Sequence, residues 1–169
     1  SLIITVCTSE GIVLASDSRS TYTRTENNGA TKTIKYGIHS TDTTYKTFMC
    51  DGRIGISTCG NGTICGKSIA SHIESYINNE YQQTDTVGDT AQKLLDYFSK
   101  MPHTDPVIFH VAGYDKDNGQ DIPRLYRVVT LAKVNNLVIN NNCGARWDGE
   151  AAVLTRIIKN GYIVPENQV

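Results

Sequence analysis

SLIITVCTSEGIVLASDSR, residues 1–19, opens the chain. Residues 2–8 and 12–16 are two β-rich apolar runs, and Ser9-Glu10-Gly11 between them has turn chemistry, so the stretch predicts a hairpin. The first strand begins at once after Ser1. If Ser1 is the N-terminus of the mature protein, it has a hydroxyl and a free α-amine whose ordinary pKa is near ~8, so the amine is able to serve as base for its own hydroxyl. A serine is equally at home at a trimmed or vector-derived terminus. Asp17 closes the second run, and the hairpin returns it to the beginning of the first. There it is a candidate to orient or neutralise a cation beside Ser1, or simply to cap a strand.

Working outward, residues 19–44 are a polar stretch rich in Thr, Ser, Asn and Gly. It reads as an exposed loop with a short strand in it, TKTIKYG. Residues 45–50 and 54–58 flank an Asp-Gly turn and predict a second hairpin. Lys46 opens that hairpin. An ammonium there, between Ser1 and Asp17, would favour the ionised hydroxyl and stabilise negative charge. Lys32 and Lys35 are rival candidates, and an exposed strand-end lysine is the plainer reading.

CGNGTICGKS, residues 59–68, ends like a phosphate-binding G-x-x-x-x-G-K-[ST] loop, but Asn61 occupies the position of the first glycine. Gly60 therefore has two other readings. It is a turn glycine, or it is a backbone N–H donor for the oxyanion of acyl transfer, ahead of a helix N-terminus. Asn61-Gly62-Thr63 has the form of a glycosylation sequon and reads as a turn.

Apolar residues recur at three- to five-residue steps over 62–81 and 86–101, predicting two helices, the second capped by Asp85 or Thr86 and stopped by Pro102. Strands follow at 106–115, 124–130 and 136–140, and a last helix at 148–159. Four strands, two helices, three strands and a helix predict an α+β domain of antiparallel sheets covered by helices. A phosphate loop needs a parallel sheet behind it, so this order counts against that reading of residues 59–68.

The chain has 169 residues, enough for one domain, 1–169, with a core of its own. A net charge of −1 gives no electrostatic grip on nucleic acid or an anionic membrane. No apolar run approaches the ~18 residues of a membrane span, and no signal peptide is visible. Five cysteines at irregular spacing, mostly in apolar runs, read as free thiols in a reducing, cytoplasmic compartment. Four scattered histidines and no C-x-x-C predict no metal site.

Taken together, the opening stretch, YKTFMCDGRIGISTCGNGTICG (residues 45–66) and VAGYDKDNG (residues 111–119) resemble the proteasome β-type subunits, of the N-terminal nucleophile hydrolases. The intervals from Ser1 to Asp17 and from Lys46 to Gly60 match that family's pattern, and the resemblance covers most of residues 1–130. It implies a four-layer αββα sandwich, two antiparallel sheets between helices, with the family's later elements absent from these residues. It implies a peptidase or amidase with Ser1 as nucleophile, its amine as base, Asp17 and Lys46 as supporting ion pair and the Gly60 N–H as oxyanion donor. Arg19 would join the charge network. Thr21 would bind the substrate main chain, and Ser20, Thr58 and Gly62 would line the pocket for the residue before the scissile bond. The resemblance further implies a peptide or protein substrate, no cofactor, a homo-oligomeric ring and an ATPase partner.

Departures accompany it. The usual nucleophile is threonine, the loop between Asp17 and Lys46 is longer by about a dozen residues, and no D-x-x-S-G-G segment occurs late in the sequence. Cys143 stands near the family's further supporting serine. The alternatives are a non-catalytic subunit of a similar ring and a phosphate-binding module on residues 59–68.

Overall fold

The computed structural model describes residues 1–28, 31–150, 152 and 154–156, with 22–28 and 31–40 described in their backbone only. The predicted first hairpin is β1 (Leu2–Cys7) and β2 (Ile12–Ser16), antiparallel with Ile3 opposite Ser16. Ile3, Thr5 and Cys7 are buried and alternate with half-buried residues, as expected for a strand with one covered face.

Residues 19–44 differ from the expectation of a loop. They form a long two-stranded ribbon, β3 (Ser20–Asn28) and β4 (Thr31–Thr41), with Ser20 opposite Thr41. Thr and Tyr are good strand formers when they pair across a ribbon, which a count of polar residues does not register.

β5 (Thr47–Met49) and β6 (Ile54–Gly60) make the predicted second hairpin, turning through Gly52 at φ +82°. The expected start of the first helix is corrected. Residues 63–68 instead form a tight hairpin, β7 (Thr63–Ile64) and β8 (Lys67–Ser68). Cys65 and Gly66, its two central residues, both have positive φ (49° and 75°), the backbone of a type I′ turn. Helix α1 (Ile69–Asn79) follows, and the Ser68 hydroxyl accepts the Ser71 N–H at 3.1 Å to cap it. The phosphate-loop likeness of residues 59–68 is therefore a turn and a helix cap. Thr86 caps α2 (Val87–Ser99) in a reciprocal capping box with Asp89.

β9 (Val107–Asp117) and β10 (Gln120–Val129) are longer than predicted, and β11 (Val134–Asn140) follows. β12 (Gly144–Gly149) was not expected, and it overlaps the start of the predicted last helix. Within that predicted helix, residues 152 and 154–156 are helical and the rest beyond residue 150 lie outside the described residues.

Besides the β3–β4 ribbon and the β7–β8 hairpin, the strands make two antiparallel sheets, β12-β1-β2 and β11-β10-β9-β6-β5. Ile54, Ile56, Phe109 and Val111 on the five-stranded sheet meet Ile73, Tyr76, Leu94 and Phe98 of the two helices in the main core. The opposite face of that sheet packs on β1 and β2, with Cys7, Ala112, Leu125 and Ile139 between the sheets. The described residues thus give helices, sheet and sheet, an α+β arrangement of antiparallel sheets. The fourth layer of the expected sandwich is not among them. Among the described residues no helix is long and apolar enough to cross a membrane.

Candidate active site at the start of the first strand

The β1–β2 register returns Asp17 to the first residues. Its N–H donates to the Leu2 carbonyl at 3.1 Å, and its Oδ1 accepts the Leu2 N–H at 2.8 Å. Its Oδ2 lies 4.0 Å from the Ser1 amine. Lys46 reaches this carboxylate from the strand end of β5, with Nζ 2.8 Å from Oδ1, and also donates to the Arg19 carbonyl. Lys46 is 5% exposed. A lysine this deep needs partners to remain charged, and the carboxylate supplies one. Burial pushes the Asp17 carboxyl up. The Lys46 hydrogen bond, the Leu2 N–H and the charges of Lys46 and the amine outweigh it and hold Asp17 below the usual carboxylate range.

Lys46 is fixed from behind as well, since its carbonyl accepts the Thr58 N–H at 2.8 Å. Cys59, next along β6, is buried, and burial pushes its thiol up to about 12. The charges it feels are those of Asp148, the Ser1 amine, Arg127 and Lys46, so the end of β6 lies among these groups. Gly60 ends β6 at φ +101°, opposite Val107, and a Cβ there would stand 2.4 Å from the Pro106 carbonyl oxygen. The backbone requires glycine at this point whatever else its N–H does.

The remaining predicted residues divide. Ser20 and Thr21 begin the β3–β4 ribbon three and four positions after Asp17. Thr58 is 5% exposed and its hydroxyl has no hydrogen-bond partner among the described residues. Gly62 is exposed, with open space where a side chain would be. Arg19 joins the group through its carbonyl, while its guanidinium turns outward to Asp42 at 2.7 Å. The rivals Lys32 and Lys35 fall on β4, and their side chains lie outside the described residues. Cys143 is a correction. It adjoins Gly144, which pairs with Cys7, so it sits at the other end of β1, roughly 20 Å of strand from Ser1.

The segment beside Ser1 on that side is Asp148-Gly149-Glu150, which the sequence reading missed. Gly149 is opposite Leu2, and the Glu150 N–H donates to the Ser1 carbonyl at 2.6 Å. The only trace of it in the sequence is a polar D-G-E between an apolar tryptophan and a helical run.

No protein-family model and no curated protein matches the chain. Among solved structures the fold has a counterpart. The chain is similar in fold to Anbu. That structure is described as Anbu (ancestral beta-subunit) from Yersinia bercovieri, at a TM-score of 0.50 and 15% sequence identity. The likeness covers 99% of this chain and 68% of the Anbu chain. The expected membership of the proteasome β-type subunits is therefore corrected. No family model supports it, and the likeness found is to Anbu and is one of fold alone.

Proposed function

We propose that Ser1 is an N-terminal nucleophile and that the chain is an amide hydrolase, a peptidase or amidase. The observation that carries this reading is the buried Lys46 ammonium, bonded to Asp17, which itself grips Leu2 next to Ser1. An ion pair at this depth is weak support for stability on its own, which favours a use in chemistry. An ammonium has three N–H donors, and two are taken by Asp17 and Arg19, leaving one for a reacting oxygen.

In this reading the Ser1 amine takes the proton of its own hydroxyl, directly or through a water, and Oγ attacks the amide carbon. The Gly60 N–H receives the resulting oxyanion. The proton passes to the leaving nitrogen, the C–N bond breaks and an ester to Ser1 remains. Water, deprotonated by the amine, attacks the ester and releases a carboxylate. Ser20, Thr21, Thr58 and Gly62 line the substrate side. Their small polar character predicts no strong preference for large apolar or acidic residues before the scissile bond.

The assembly proposed is a homo-oligomeric ring, supported by a fold shared with a protein named as a beta-subunit. Nothing in the described residues bears on an ATPase partner. The alternative is a subunit that keeps the fold without the chemistry.

The test is intact mass after exposure to an electrophile selective for N-terminal hydroxyl nucleophiles, beside Ser1→Ala. One adduct on the wild type and none on the variant is expected. A folded protein with a confirmed Ser1 terminus that takes no adduct would overturn the nucleophile reading in favour of a non-catalytic subunit.

A further inference from the structure

Ser1 stands just before β1, and a residue at the end of a strand frays unless something holds it. Two clamps do so, one on each side of β1. On the β2 side is Asp17, as described. On the β12 side Gly149 comes so close that a Cβ would stand 2.1 Å from the Ser1 carbonyl oxygen, and the Glu150 N–H donates to that same oxygen. Gly149 has φ +94°, a backbone conformation that side-chain-bearing residues rarely adopt. The second clamp works only if the end of β12 is itself fixed.

Asp148 fixes it. Its side chain is 10% exposed and enters the space between the two sheets. Arg127 of β10 forks onto it, with Nε 3.0 Å and Nη2 2.7 Å from Oδ1. Nε2 of His110, a fully buried residue of β9, stands 2.9 Å from Oδ2. An ionised carboxylate only accepts, so Nε2 carries the proton. Nδ1 is hydrogen-bonded to the Thr5 hydroxyl of β1, at 2.9 Å, with the hydroxyl able to take either role. Arg146 adds a longer contact at 3.4 Å. Four strands of both sheets are thus tied through one carboxylate, one residue before the clamp on Ser1. Burial works against its charge, but His110 and Arg127 hold the carboxyl well below the usual range.

We infer that Asp148, held by Arg127 and His110, is a positioning residue that sets Ser1 through Gly149 and Glu150. The inference rests on the nucleophile reading above for its catalytic consequence, but not for its structural one. Replacing a buried charged network by apolar residues is often neutral for stability, so conformational specificity is the better account of its presence. A nucleophile must be held within ~0.5 Å of its productive place, and a displacement of ~1 Å costs on the order of 100-fold in rate.

The experiment uses the full chain with Asp148→Asn, which keeps shape but loses charge, and Arg127→Lys, which keeps charge but loses the fork. Amide hydrogen exchange at Glu150 and Leu2 is read beside that of Ile56 and Phe109 in the helix-side core, together with the rate of Ser1 acylation and the kcat and KM for a peptide. The expected result for Asp148→Asn is exchange at Glu150 faster by about ten-fold or more with the core unchanged, and a lower kcat at similar KM, with Arg127→Lys in between. Unchanged exchange at Glu150 and unchanged acylation in both variants would overturn the inference. If Asp148→Asn does not fold, Arg127→Lys decides by the same readings. If the wild type takes no adduct, the nucleophile reading falls, and exchange at Glu150 alone decides whether Asp148 anchors Ser1.

Discussion

At the scale of residues, the site is a contest between burial and pairing, and Lys46 is its clearest case. A buried ammonium with one carboxylate partner tolerates neither losing that partner nor leaving it behind. Lys46→Met, similar in length but uncharged, should slow Ser1 acylation by about 10²–10³-fold, and Asp17→Asn comparably, read as the rate of adduct formation by mass. An unchanged rate in Lys46→Met would remove Lys46 from the chemistry. The thiols follow the same physics. Burial pushes Cys50 and Cys59 up to about 12, and Cys7 also upward, whereas Cys65 and Cys143 are exposed. Native protein treated with iodoacetamide near neutral pH should therefore gain two adducts quickly, at Cys65 and Cys143, and the other three only on unfolding. Peptide mapping that finds Cys59 alkylated first would contradict its burial.

At the scale of elements, the local signals and the long-range ones part company. The β7–β8 turn is stable only because Cys65 and Gly66 accept positive φ. Gly66 has open space around it, so Gly66→Val should cost backbone strain alone, about 1–2 kcal/mol by denaturant unfolding. Thr86→Ala removes the α2 cap and should cost about 1 kcal/mol. Both effects are small because each element is also held by its neighbours. β12 differs, having no strand-like alternation of its own and existing by pairing with β1 across more than a hundred residues of chain. Asp148, on that strand, could not be singled out from the sequence, and Cys143, five positions earlier, was the nearer match by residue type.

At the scale of the whole molecule, the two faces of the five-stranded sheet divide the work. The helix face is apolar and supplies cohesion. Phe98→Ala, at a fully buried position, should lower stability by about 3–5 kcal/mol while leaving the acylation rate of the folded fraction unchanged. The sandwich face carries charge, and there pH matters. Asp17 and Asp148 have folded pKa values below the ordinary carboxyl value of about 3.9. Unfolding returns them to that value. Their stabilisation is thus fully present above about pH 4 and is lost as the pH falls below it, through the folded values. Denaturant unfolding from pH 7 to pH 2.5 should show this loss, and Asp148→Asn should show less of it. An identical slope in the two proteins would mean that Asp148 is not held in its charged form by its neighbours.

What the sequence determined by itself was the set of contacts between near neighbours. The first hairpin, with Asp17 beside Ser1, follows from two apolar runs and a three-residue turn. The helices follow from their apolar spacing, and Gly60 at the end of β6 from its place before a turn. These depend on short loops and on periodicity, which a single chain writes out plainly. Long-range packing set the partner of β1 on its far side, the pairing of residues 20–28 with 31–41 into a ribbon, and the meeting of Thr5, His110, Arg127 and Asp148 between the sheets. The first and the last depend on a register between strands distant in sequence, chosen by the burial of whole faces, and the ribbon on cross-strand pairs that a polar composition does not display. A buried histidine in the run VIFHVA looks the same in sequence whether it is a core residue or the tie that holds Asp148.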